Sequence, residues 1–391
     1  MDDFVNPGPA IGVGSDALKG AASTQTDPGN AVAELAREIG HINAAFLLVF
    51  VSPDYDRTEI EHALARHWPD TPIIGCTTAG EITTTGYAQG AMSCIAFPAR
   101  HFRMTSRCIT PLKGYSVSAV IEGTRAMADT FGATTGWRQM GFLFADGVSN
   151  QEDTLVAAIE NGLAPIPVIG GSAGDNLDFN RTFVLHQGRF QTNAAVLALI
   201  ETDFEFTELC FDHFEPGQQK MVVTDADPAE RIVLEINAAP AADEYARIVG
   251  VAPEDLTPFV FAANPVLVRA GGRYHVRAIQ NVVGKDALRF QSAIDLGLVL
   301  TLGSPNDIVE ALEREMAKLR TNRKAPDLVL GFDCILRRLE IEQREIIPQI
   351  SEILSRNKVI GFNTYGEQHH GMHVNQTFVG VAFYDPGADL A

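Results

Sequence analysis

Short apolar runs punctuate the chain at Phe46 to Val51, Gly141 to Ala145 and Leu328 to Phe332, each bounded by polar or turn-forming residues. Runs of this length predict buried strands. After each run comes a stretch with apolar positions four apart: Ile60, Leu64 and Trp68, then Leu155, Ile159 and Leu163, then Ile346, Ile350 and Leu354. That spacing puts the side chains on one face and predicts an amphipathic helix. Further strands are predicted at Ala91 to Phe97, Ala194 to Ile200 and Thr377 to Phe383.

Between each helix and the last strand lies a recurring segment. Ile73-Ile74-Gly75-Cys76-Thr77-Thr78-Ala79-Gly80-Glu81 is echoed by Val168-Ile169-Gly170-Gly171-Ser172-Ala173-Gly174-Asp175 and by Val359-Ile360-Gly361-Phe362-Asn363-Thr364-Tyr365-Gly366-Glu367. Each has two β-branched residues, a glycine, a small or polar stretch, then a glycine followed by an acid. The repeated order strand, helix, strand, loop, strand predicts an α/β (α+β) layered fold with mixed sheets in two halves. The uneven spacing of the copies argues for duplicated lobes rather than a solenoid.

The long interval between the second and third copies carries additional structure. Strands are expected at Arg231 to Asn237 and Pro265 to Arg269, with a hairpin turn at Gly271-Gly272. Ser304-Pro305-Asn306-Asp307 precedes the stripe Ile308, Leu312, Met316 and Leu319 and predicts a capped helix with proline at its first position, ended by Thr321 to Pro326. The polar, turn-rich stretch Glu215 to Gln219 suggests the main boundary, giving an N-terminal segment 1–30, a first domain 31–219 with an internal duplication, and a second domain 220–391.

A length of 391 residues with 46% apolar and 20% charged positions is that of an ordered protein of two or three lobes. The net charge of −19 argues against nucleic acid or an anionic membrane as partner. Five cysteines without a CxxC pair point to a reducing compartment. The start lacks a signal-peptide pattern, and no run approaches the roughly 20 apolar residues of a membrane span. The expected location is therefore the cytoplasm.

The candidate chemistry is sparse. His369, His370 and His373 lie close together beside Gly366 and Gly371, which suggests a loop, with His373 heading the strand that follows. They are candidate ligands for an iron centre; equally, His369 and His370 read as exposed loop residues and His373 as the partner of a carbonyl. The glycine loops invite a phosphate reading, but their spacing fits neither known phosphate-loop pattern and an acid closes each. Glu81, Asp175 and Glu367 suit a cationic group or backbone donors, or simply close their turns. Gly75, Cys76, Gly170, Gly171 and Ser172 are candidate ligand-binding positions in the first two loops, as are Asn363, Thr364, Gln368 and Asn375 around the third. Cys334 followed by Arg337 offers an activated thiol or an anion-binding guanidinium, or a buried cysteine beside a surface arginine. No pattern for a serine nucleophile, a zinc protease or a kinase is present, so no enzyme is expected.

The three echoes and their flanks, above all the run from Gly361 to Thr377, resemble the FIST family of bacterial sensors, and within it the NosP proteins. That resemblance implies a sensor without its own output enzyme that binds haem b and senses nitric oxide. It implies His373, His370, His369, Cys334, Arg337 and Tyr365 as haem contacts, with iron on His373. The partner would be a histidine kinase or a cyclic-di-GMP enzyme acting in trans. The alternative is a FIST sensor of a small polar ligand such as an amino acid, without haem. Homodimerisation, and whether the pocket lies inside the C-terminal half or between halves, stay open.

Overall fold

The computed structural model describes residues 4–5, 17–270, 272–320 and 324–386. The strand–helix pattern read from the sequence is present three times, as three units of the same element order. In the first unit the strands Lys19–Ser23, Ala44–Val51, Ile73–Thr77 and Met92–Pro98 form a sheet with the helices Pro28–Ile39 and Arg57–His67. The second unit repeats this with strands Phe102–Ile109, Arg138–Ala145, Val168–Ser172 and Ala195–Thr202 and helices Val117–Phe131 and Glu152–Leu163. In the third, Glu205–Phe211, Leu328–Cys334, Val359–Thr364 and Phe378–Tyr384 carry the helices Ile308–Lys318 and Ile347–Arg356, with an extra helix Ile335–Gln343.

Each unit then gives away a hairpin. Residues 81–88 of the first pair with Val359–Thr364 of the third, 184–191 of the second with Ile73–Thr77 of the first, and 367–374 of the third with Val168–Ser172 of the second. The exchange is cyclic, so every sheet is completed by a neighbour and the units are interlocked by main-chain hydrogen bonds.

Helices cover the outer faces of the sheets, while the inner faces meet in one apolar core. Phe50, Phe144 and Phe332, in equivalent positions, come together there with Phe362: Phe50 and Phe144 are 5.7 Å apart between ring centroids, Phe144 and Phe332 are 6.1 Å apart. Burying such rings supplies both apolar area and favourable edge contacts. The first glycine of each echo is explained by the parallel strand beside it. A Cβ at Gly75, Gly170 or Gly361 would lie 1.8, 1.8 or 1.7 Å from the carbonyl oxygen of Val49, Leu143 or Gly331. These glycines admit close strand approach, and the expectation that Gly75 and Gly170 touch a ligand is corrected accordingly.

Residues 214–305 form an inserted domain with its own eight-stranded sheet and core. The stretch Glu215 to Gln219 is no linker: it lies inside the 14-residue strand Phe214–Asp227, whose pairing with Val299–Pro305 slips between Pro216 and Lys220. That irregularity accommodates the proline and glycine. The expected strands appear as Ile232–Ile236 and Val266–Ala270, and the latter forms a hairpin with Arg273–Arg277. Gly271 of the expected turn, and residues 321–323 at the expected helix end, lie outside the described residues. Pro305 ends the strand Val299–Pro305 rather than opening a helix; Asp307 caps the helix Ile308–Lys318 by accepting from the Val309 and Glu310 N–H groups. The chain enters the insert through residues 211–214 and leaves it through 305–308, where the two passing chains pair side by side, and Ala262, Leu267 and Val276 of the insert share an apolar cluster with Leu336 and Leu339 of the body. Among the described residues no helix is long and apolar enough to cross a membrane.

Candidate functional site

The three echo turns do converge, but on each other. Ala79 donates to the Asn363 carbonyl and Asn363 to that of Gly80; Gly174 donates to Thr77, Ser172 to Gly366 and Tyr365 to Ser172. The space they share is filled with side chains rather than open as one hollow. Glu81 and Glu367 are fully buried and face inward. Thr78 donates to Glu81 together with the Ala91 N–H, and Thr364 donates to Glu367 together with Thr377. Burial raises these carboxyls to about 7 and about 8, against the pull of those donors. Asp175 departs from the pattern, accepting from Tyr365 and from the Phe179, Asn180 and Arg181 N–H groups. All three acids close turns, and none faces a ligand space.

Cys76 and Cys334 are fully buried, and burial pushes both thiols well above their ordinary value, so neither is a ready thiolate. Arg337 is equally buried and committed: its Nε donates to Asp333 at 2.7 Å, and its guanidinium meets His213 and lies 5.5 Å from the Phe211 ring centroid. The expectation that Cys334 and Arg337 hold a propionate or a reactive thiol is corrected. Gly171 is pressed against Thr364 and Phe362, and Asn363 accepts from the Arg338 guanidinium.

One region does look outward into a gap, the seam between the body and the insert. Tyr365, His373, Glu152 and Asn150 from the body and Arg231, Gln280 and Gln291 from the insert line a crevice of about 10 Å³, room for about one water. Tyr365 stacks on Phe179 with ring centroids 4.4 Å apart, and its hydroxyl accepts the Leu177 N–H, fixing one wall. Arg231 crosses the seam, donating at 2.8 Å to both Glu152 and Asp153 and also to the Gln291 carbonyl. Its backbone φ of 56° is the left-handed region, unusual for a residue with a side chain. His373 sits centrally in the strand Met372–Val374 of the exchanged hairpin, not at the head of Phe378–Tyr384, and its ring lies on Gly366, where a Cβ would be 2.2 Å from Cε1. Burial lowers its pKa, with Asp153 and Glu152 pulling the other way, so the ring is neutral at pH 7.

Several polar atoms here are buried with no hydrogen-bond partner among the described residues: both amide atoms of Gln291, Nδ1 of His373 and Nδ2 of Asn375. Asn375 meets the insert through Ser292, and Gln376 holds the Ala262 carbonyl at 2.8 Å. An orphaned buried polar group costs about 1–3 kcal/mol. Such a group in a native protein calls for a water, an ion or a ligand. Of the candidates read from the sequence, Tyr365, His373, Gln368 and Asn375 belong to this neighbourhood, Gln368 through Ser172. Glu152, Arg231 and Gln291 were missed, because they stand alone in unremarkable sequence and meet only through long-range packing.

The haem expectation can be tested against this geometry. A porphyrin needs a pocket of several hundred Å³. The crevice at His373 falls far short, and the histidine's ring is held on Gly366. Two wider hollows, of about 390 and 220 Å³, lie by Trp68 and Arg189 and by Tyr115 and Arg107, and neither is lined by histidine. His369 and His370 lie at the tip of the exchanged hairpin, the first largely buried and the second half open to solvent, rather than in a loop facing a pocket. Among the described residues, neither the crevice at His373 nor these two hollows offers haem a histidine-lined pocket of the size it needs.

Comparison with known proteins places the rest. Residues 45–239 match the FIST N domain model and residues 241–370 the FIST C domain model. An uncharacterized protein of Methanocaldococcus jannaschii is 22% identical over 229 residues, covering 54% of this chain. The chain spans about 42% of that relative's length.

Proposed function

We propose, on the premise that this chain belongs to the proteins built from a FIST N and a FIST C domain, that it senses a small polar ligand, such as an amino acid, in the seam between body and insert. FIST domains serve signal transduction by sensing small ligands, and they are generally not catalytic. The observation that carries the reading is the set of unpartnered donors and acceptors on Gln291 and His373, which line one crevice with Arg231 and Glu152 of the Arg231–Glu152–Asp153 ion group. An amino acid presents an ammonium and a carboxylate, the two charges that this ion group is built to complement. The insert is entered and left by two adjacent chain passages, and its Ala262, Leu267 and Val276 share an apolar cluster with Leu336 and Leu339 of the body, so widening the seam means shifting that packed contact.

The described crevice has room for about one water, so the ligand enters only as the insert parts from the body, and binding then biases that wider arrangement over the described one by its differential affinity. A partner in trans, a histidine kinase or a cyclic-di-GMP enzyme, would read the position of the insert. A thermal-shift panel of the common amino acids tests the proposal. A true ligand at a hundred times its dissociation constant adds roughly 2.7 kcal/mol of stability. Gln291→Leu, which removes two unpartnered atoms at similar volume, is expected to stabilise the free protein by about 1 kcal/mol and to abolish the response. A panel without any shift, together with a stoichiometric Soret band after haem supply, would replace this reading with the haem one.

A further inference from the structure

We infer that the tip of the exchanged hairpin 367–374 is a divalent transition-metal site formed by His369, His370 and Glu208, with Glu160 beside it as a further oxygen donor. It is separate from the crevice and does not depend on it. The four residues come from three parts of the fold: both histidines from the third unit's hairpin, Glu208 from the strand Glu205–Phe211 and Glu160 from the helix Glu152–Leu163.

One ligand atom from each of Glu208, His369 and His370 falls within a sphere where all are no more than 4.8 Å apart. Nε2 of His369 is 3.4 Å, and Nε2 of His370 is 3.2 Å, from the same oxygen, Oε2 of Glu208. Donors about 2.1 Å from a common ion at tetrahedral angles stand about 3.4 Å apart, which is this spacing. Both contacts lie within ion-pair distance, yet neither is a hydrogen bond. Oε2 of Glu208 is buried yet receives no hydrogen bond among the described residues, so neither imidazole N–H is aimed at it. Lone pairs converging without a proton between them are the arrangement a cation completes.

Oε2 of Glu160 is likewise buried without a hydrogen-bond partner, and its carboxylate is in electrostatic range of both imidazoles and of Glu208. The backbone is set for this. His369 pairs with Met372, so His370 and Gly371 form a two-residue turn with φ values of 47° and 71°, the type that matches strand twist. A Cβ at position 371 would come 2.9 Å from Cγ of Glu160, so the glycine lets the turn sit directly on the helix. Two imidazoles with carboxylate oxygens suit zinc and its first-row neighbours rather than magnesium or calcium.

The test is calorimetric titration of Zn²⁺ into the full chain after stripping with a chelator, with thermal unfolding followed alongside. The inference expects one zinc per chain and a rise in Tm. His369→Ala/His370→Ala and, separately, Glu208→Gln should each weaken binding at least tenfold and remove the Tm rise, while circular dichroism stays unchanged. His62→Ala, exposed on the helix Arg57–His67 of the first unit, should bind zinc as the parent does. No uptake, uptake equal in the double variant, or loss of uptake in His62→Ala would each overturn the assignment.

Discussion

Glu81 and Glu367 stand at equivalent places in two turns and are treated alike: a threonine three residues earlier donates to each, and burial raises each carboxyl, to about 7 and about 8. A carboxyl raised in the folded state binds its proton more tightly there than in the unfolded chain. Its stabilising contribution is therefore complete below the ordinary value of 4.5 and declines as pH climbs, for Glu81 until about 7 and for Glu367 until about 8. Thermal unfolding should accordingly show Tm falling between pH 5 and 8, and Glu367→Gln, which keeps the neutral form's shape, should flatten that fall. A Tm that rises over this range in both proteins would contradict the burial argument. The acids were visible in the sequence as the ends of three echoes, but whether they faced a ligand or closed a turn was not, since that depends on which unit's strand lies alongside.

At the scale of the element, the echo glycines and the exchanged hairpins define the architecture. Gly361→Ala would drive a methyl group into the Gly331 carbonyl at 1.7 Å. Overpacking of this kind against backbone costs about 3 kcal/mol, to be read from urea unfolding. A loss under about 1 kcal/mol would mean that the strands can part to admit it. The strands and helices themselves were legible, because a buried strand and an amphipathic helix write their periods into neighbouring residues: the run Phe46 to Val51 is the strand Ala44–Val51, and Leu155, Ile159 and Leu163 lie on the inner face of Glu152–Leu163. The hairpins were not. Glu367–His369 and Met372–Val374 are three-residue strands, and the hairpin they form is held by Val168–Ser172 against Glu367–His369, nearly two hundred positions away, so local pattern makes the segment look like a loop. Pro305 misled for a related reason: proline opens helices readily, but here the strand pairing of Phe214 with Pro305 outweighs that preference.

For the molecule as a whole, cyclic hairpin exchange makes the three units interdependent while the insert keeps its own core around Tyr245, Phe261 and Phe290. A fragment of residues 17–211 lacks the hairpin 367–374 and the third sheet, and is expected to be unfolded by circular dichroism. A fragment of 214–305 should fold by itself. The reverse result would mean that the interlocking is incidental. Three echoes in the sequence announced the triplication, whereas the crevice was announced by nothing, because Arg231 and Gln291 reach it from an insert whose docking no short-range signal encodes.

The central claim is that a small polar ligand enters that seam as the insert parts from the body and holds it in the wider arrangement. Amide hydrogen exchange, measured with and without the amino acid that most raises Tm, addresses it directly. The account predicts added protection on both sides of the seam, at residues 290–293 of the insert and 365–376 of the body, and little change near Trp68 or Tyr115. Protection confined to one side, or appearing only at those distant hollows, would contradict it.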